Sequence, residues 1–199
     1  MEKLKCYTIG HSNHTIDRFI DLLKKNGINC IVDVRSAPYS KYTVQFNKET
    51  IEKELKKNNI KYIFMGEELG ARQTRHDLLF PDGKVDFEKV KEADFFKNGI
   101  QRIINGIKKG FVISVMCTEK DPLVCHRFAL VSAALKQHGV EIEHILENGD
   151  VISQSELEKK ILDKQLSLFY LKEVITGCRR QRRSRSVLRW AERPNKARA

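Results

Sequence analysis

No apolar run in this 199-residue chain approaches the roughly 18 to 20 residues needed to cross a bilayer. The opening MEKLKCYTIGHSNH also lacks the long apolar core of a secretory signal. A soluble, cytoplasmic protein with no membrane partner is therefore expected. Cysteine pairs at zinc-finger spacing are missing too. The five cysteines, Cys6, Cys30, Cys117, Cys125 and Cys178, form an odd set with no small secreted framework around them, which points to reduced thiols rather than a disulfide scaffold. There is no internal repeat, which argues against a solenoid.

Acidic residues are scarce only at one end. The formal charge is +11, yet from Arg179 onward RRQRRSRSVLRWAERPNKARA holds nine Lys/Arg against one Glu, leaving +3 for residues 1–178. The basicity is a tail. Residues 179–199 are expected to be disordered alone, with nucleic acid or another acidic surface as the partner that phosphate contacts would favour.

What is present is enough for one substantial core, with 41% hydrophobic residues arranged as short apolar runs alternating with amphipathic ones. KCYTIG, INCIVDVR, IKYIFMG, FVISVMC and VEIEHIL read as strands. Between them IDRFIDLLKKNG, NKETIEKELKKNN, FFKNGIQRIINGIKKG and FALVSAALKQHG read as helices, and SELEKKILDKQLSLFYLKEV closes the chain as another. Thr15 is placed as an N-cap and Gly27 as a helix terminator. ENGDVIS reads as a turn or hairpin, and EELGARQTRHDLLFPDGKVD carries no regular period. Val124, Phe128, Val131 and Leu135 are spaced as one face of a helix. The near-continuous β-branched character of INCIVDVR belongs to a strand buried on both faces. The expected fold is α/β: a single three-layer domain over residues 1–178, with a mostly parallel sheet of about five strands and helices on both faces.

In such sheets ligands bind beyond the carboxyl ends of the strands. Those ends carry Gly10, His11, Ser12, Asn13 and His14 after the first strand, Asp33, Arg35 and Ser36 at the second, Gly66 and Glu67 after the third, and Cys117, Thr118 and Glu119 after the fourth. The opposite loops, KKNGIN, KKNNIK and KKGF, offer only lysine, asparagine and glycine as polar chemistry.

TIGHSN at 8–13, DVRSAPYS at 33–40, GEELGAR at 66–72, CTEKDPLVCHR at 117–127 and HILENG at 144–149 span nearly all of the chain before its tail. Together and in that order they resemble a bacterial and archaeal family catalogued as domain of unknown function 488. The resemblance implies a compact α/β domain with a shared polar site, and so a location more than a reaction.

CTEKDPLVCHR admits three chemistries. As an anion site it would use the positive end of the following helix together with Arg35 and Arg127, with Asp121 as N-cap and Pro122 as first helical residue. As a thiol site it would use Cys117 or Cys125, acidified by the helix end and nearby cations, with His126 or His11 carrying the proton. Nine residues between Cys117 and Arg127, and one between Cys125 and Arg127, do not fit a phosphatase loop. As a metal site it would use Cys117, Cys125 and His126, with His11 and His14 nearby, although arginine neighbours oppose a cation. Asp33 and Glu119 are either general acids and bases or partners of the two arginines.

The preferred reading is an enzyme acting on a phosphate-bearing or nucleotide-like substrate at the strand ends. His11, Asp33, Glu119 and His126 would handle protons and Cys117 or Cys125 would attack, while Ser12, Asn13, Arg35, Ser36, Tyr39 and Arg127 would hold substrate. No metal ligand and no cofactor is assigned. A noncatalytic nucleotide or nucleic-acid binding module and a Cys/His metal protein are the alternatives.

Overall fold

Apolar runs become strands where both faces can be buried, and the computed structural model, which describes residues 3–165, places six of them in one sheet. They are β1 (Lys5–Gly10), β2 (Cys30–Asp33), β3 (Lys61–Phe64), β4 (Ile113–Cys117), β5 (Glu141–Ile145) and β6 (Val151–Ser153), in the order β3-β2-β4-β1-β5-β6. The first five pair in parallel, and β6 returns antiparallel on β5 as the hairpin in ENGDVIS. The protein is thus an α/β protein with a mostly parallel sheet, one strand larger than the five legible runs.

Alternation along the strands feeds two cores. Cys30, Val32, Ile113, Val115 and Cys117 face a layer made by α3 (Gly66–Leu69), α4 (Phe87–Glu92), α5 (Asp94–Lys108) and α6 (Ala133–Gln137), where Leu69, Val90, Phe96, Ile100 and Leu135 pack. Ile9, Ile31 and Met116 face the opposite layer, α1 (Ile16–Lys25) and α2 (Lys48–Lys57), through Phe19, Leu22, Leu23, Ile51 and Leu55. Burying each such side chain contributes roughly 1.5–3 kcal/mol. Thr15 caps α1 by accepting from the Arg18 amide at 3.3 Å, and Gly27 ends it at φ +66°, a backbone region that suits glycine.

The segment without a period, EELGARQTRHDLLFPDGKVD, contains α3, a 3₁₀ turn at His76–Leu78 and a bridge between Leu79 and Val85. Chain contacts divide at Gln154 into Met1–Gln154 and Ser155–Ala199; the sheet lies in the first unit, and residues 155–165 of the second are helical. The expected basic tail at 179–199, Cys178 and the end of the closing helix lie outside the described residues. Among the described residues, no helix is long and apolar enough to cross a membrane.

Candidate active site at the strand ends

Register fixes which chain ends meet. Gly10 pairs with Cys117 and Asp33 with Met116, so the loops after β1, β2 and β4 leave the sheet side by side. Strand alternation then sends the chemistry to opposite faces: Cys117 follows Ile113 and Val115 toward the α5–α6 layer, and Asp33 follows Ile31 toward the α1–α2 layer.

On the first face, two thiols converge on one carboxylate. Cys117 Sγ and Cys125 Sγ each lie 3.0 Å from Glu119 Oε2, and His126 Nδ1 lies 3.7 Å from the first and 3.9 Å from the second. Both cysteines are buried, whereas Glu119 is exposed and His126 half-buried. His126 Nε2 lies 3.2 Å from the Val34 carbonyl, which can only accept; that nitrogen therefore carries hydrogen, and Nδ1 is the one available to the sulfurs.

The loop is held in place by a buried cation. Arg127, with no exposed surface, donates from Nη1 to the Glu119 carbonyl at 2.5 Å and from Nη2 to the Lys120 carbonyl at 3.1 Å. It makes no ion pair among the described residues, and its Nε is buried without a partner. Gly10 lets Glu119 approach, because a Cβ at that position would sit 1.9 Å from the Glu119 carbonyl oxygen. Asp121 accepts from the Leu123 amide at 2.9 Å and caps a 3₁₀ turn, Pro122–Val124, with Pro122 first. The regular helix starts later than its apolar spacing implied: Arg127–Ser132 forms a π-helical turn leading into α6. Val124 is accordingly 75% exposed, off the face on which Phe128, Val131 and Leu135 are buried, and Cys125 and His126 immediately precede the helix.

Protons are unequally divided within this cluster. Cys125 is shifted well below the ordinary thiol range, first by the hydrogen bond from Cys117 and then, against burial, by His126 and by the charge and amide of Arg127. Cys117 is shifted upward by its bond to Cys125, by burial and by Glu119, so it keeps its proton. Glu119 is shifted downward: burial opposes this, but the two thiols and His126 favour the carboxylate more. Full deprotonation would crowd three negative charges together, and the three groups titrate as one unit.

On the second face the groups around Asp33 are all engaged. Asp33, fully buried, accepts from the Arg35 amide at 3.0 Å, from Arg35 Nε at 2.9 and 3.1 Å, from Arg35 Nη2 at 2.6 Å and from the Tyr62 hydroxyl at 2.7 Å. Arg35 also donates to the Phe46 carbonyl at 2.9 Å and to His11 Nε2 at 3.2 Å. His11 stacks on Phe46 with ring centroids 4.4 Å apart and donates from Nδ1 to the Ser12 carbonyl at 2.9 Å. Burial first, and the Arg35 charge second, lower its pKa to about 4, which leaves it neutral. Both of its nitrogens are engaged, Nδ1 on the Ser12 carbonyl and Nε2 with Arg35. Arg35 and Arg127, expected to grip an anion, are both buried on internal partners.

The remaining candidates lie around these clusters. The Ser12 amide donates to the Thr118 carbonyl at 2.9 Å, tying the β1 and β4 loops together, and Asn13 is exposed beside it. Ser36 Oγ accepts from the Arg72 amide at 3.0 Å. Tyr39 is 58% exposed and donates to Glu49 at 2.7 Å, apart from both clusters. Ligand atoms of Cys117, Cys125 and His126 all lie within 4.8 Å of one another, close enough to converge on one soft cation; His11 and His14 are not in that group. Sequence reasoning passed over Tyr62, Phe46 and Val34, which contribute a hydroxyl, an aromatic face and a carbonyl. Tyr62 and Val34 lie in apolar stretches, where their polar contacts have no local pattern.

Residues 15–134 match the family described as Domain of unknown function DUF488. No curated protein and no solved structure matches the chain.

Proposed function

We propose, for a chain that belongs to the DUF488 family, a cysteine-dependent enzyme whose chemistry runs at the strand ends, with Cys125 as nucleophile and a phosphate-bearing or nucleotide-like molecule as substrate. The observation that carries this reading is the convergence of two thiols on Glu119 Oε2, 3.0 Å from each, with an imidazole nitrogen behind them.

A nucleophilic thiol needs its proton removed and its anion held. His126 Nδ1 is oriented by the Val34 carbonyl and can take the proton from Cys125. The Arg127 amide, 3.5 Å from Cys125 Sγ, and the thiol of Cys117 then support the thiolate. Arg127 supplies a buried positive charge with no carboxylate partner among the described residues, and the helix beginning there adds its positive end. Together they favour a reacting group that carries or develops negative charge, which is the support for a phosphate-bearing substrate class. Asp33, Arg35 and His11 hold the β1 and β2 ends rigid. Glu119 lies over the buried sulfurs, and its side chain must swing outward to admit substrate.

The test is alkylation of the full chain with iodoacetamide at pH 6.5, read by peptide mapping. Cys125 is expected to label first, and His126→Gln or Arg127→Met to slow it about tenfold. Labelling no faster than that of an ordinary thiol would favour the noncatalytic binding module. Labelling that appears only after treatment with a chelator would favour a metal centre on Cys117, Cys125 and His126.

A further inference from the structure

We infer that Cys117 and Cys125 are a hydroperoxide-reactive pair that closes to a reversible disulfide, with Cys125 attacking first and Cys117 resolving. This rests on the reading of Cys125 as the nucleophile and names a second electrophile for it. The supporting geometry is specific to the pair. The sulfurs lie within 4.8 Å of each other, share Glu119 Oε2 at 3.0 Å, and belong to a strand end and a loop rather than to two rigid elements. Closing the bond requires S–S contact near 2.0 Å, and the Thr118–Val124 segment that joins the two cysteines contains a single 3₁₀ turn and no longer regular element. Cys6 and Cys30 are also buried but have no carboxylate or imidazole on their sulfurs among the described residues.

The chemistry balances in two steps. Cys125 sulfur attacks the terminal oxygen of the hydroperoxide; an S–O bond forms, the O–O bond breaks, and the departing oxygen leaves as water or alcohol after taking a proton. Cys125 is oxidised to a sulfenic acid and the peroxide is reduced. Cys117 sulfur then attacks Cys125 sulfur; the S–S bond forms, the S–O bond breaks, and hydroxide departs as water. Glu119, 3.0 Å from both sulfurs, is placed to collect the proton of Cys117 and pass it to that hydroxide. Two equivalents of a small thiol, themselves joined as a disulfide, return the pair to its reduced state. Because both thiols are almost fully buried, a small oxidant such as hydrogen peroxide should react faster than a bulky organic hydroperoxide.

The experiment uses the full chain, one equivalent of hydrogen peroxide and peptide mapping without reductant. A cross-link between the peptides of Cys117 and Cys125, with loss of two hydrogens and reversal by dithiothreitol, is expected. In Cys117→Ser, dimedone should trap Cys125 as a sulfenic acid at least about tenfold more than in the wild type, because nothing resolves it. In Cys125→Ser, neither product should form. A wild type that accumulates the Cys125 sulfenic acid without the cross-link overturns the inference while leaving the proposed function standing. A cross-link that forms although Cys125 shows no selective alkylation sinks the proposed function and keeps the pair. Absence of both the sulfenic acid and the cross-link in the wild type overturns the inference outright.

Discussion

Two polar clusters occupy the same edge of one sheet, a strand apart, and differ in how fully they are satisfied. At the end of β2, Asp33 accepts from Arg35 and Tyr62 through both oxygens, and His11 has a partner on each nitrogen. At the end of β4, two thiols crowd one carboxylate, and a buried guanidinium beside them has no carboxylate of its own among the described residues. A saturated network has one arrangement and gives rigidity. An undersupplied one has several proton arrangements of similar energy. Burial does not distinguish them, since Asp33 and Cys117 are both inaccessible. The tally of donors and acceptors does.

The largest expected effect is at Asp33. Asp33→Ala leaves the Arg35 charge buried and unpaired, so a loss of about 3–5 kcal/mol is expected in urea denaturation. Replacing both partners, as Asp33→Leu with Arg35→Met, should cost much less than the single change; equal losses would show that the pair is not a closed unit. A second effect, on the order of 3 kcal/mol, belongs to His11. Its folded pKa is about 4 against roughly 6.5 when unfolded. Between those values the unfolded chain binds the proton that the folded chain refuses. Stability should therefore hold above pH 6.5 and fall as the pH drops toward 4, and His11→Gln should flatten that slope in denaturation curves recorded across the range.

Gly10→Ala tests the close approach of the β1 and β4 loops. The added methyl meets the Glu119 carbonyl, so a loss of roughly 1–3 kcal/mol is expected together with loss of selective Cys125 alkylation. A stable variant that keeps full selectivity would separate Glu119 from the thiol chemistry. For Cys125 itself, lowering the pH from 8.5 to 6.5 should slow alkylation by less than about tenfold, where an ordinary thiol slows about fiftyfold. The sign follows from a folded pKa below the ordinary value, which preserves thiolate at the lower pH. The smallest effect is Tyr39→Phe, expected to leave both melting temperature and labelling unchanged, because the side chain is exposed and, among the described residues, its hydroxyl bonds to Glu49 alone.

Strands were the most legible part of the chain, since CIVD and ISVMC are buried at every position and leave no competing period. That the loops after β1, β2 and β4 meet at one edge follows from those strand ends. The site's inner division does not. Arg127 reads the same whether it faces solvent or the Glu119 carbonyl, and only the close approach allowed by Gly10 decides between them. The pairing of Asp33 with Arg35 was readable because the two sit at the same strand end, two residues apart. The Tyr62 hydroxyl and the Val34 carbonyl come from β3 and from beyond β2, where apolar patterning hides polar contacts. The stretch from Glu67 to Asp86 stayed unread because short turns and a single bridge create no repeat for a pattern to follow.

The wide turn at Arg127–Ser132 also sets the orientation of the CHR tripeptide. A π-turn accommodates one residue more than an α-turn, and one residue corresponds to about 100° of rotation about a helix axis. Deleting a single residue there would let the helix rewind as an ordinary α-helix and swing Cys125 and His126 by about that angle away from Cys117. The alignment of the two sulfurs is therefore a matter of helical phase, set by one additional residue downstream of them.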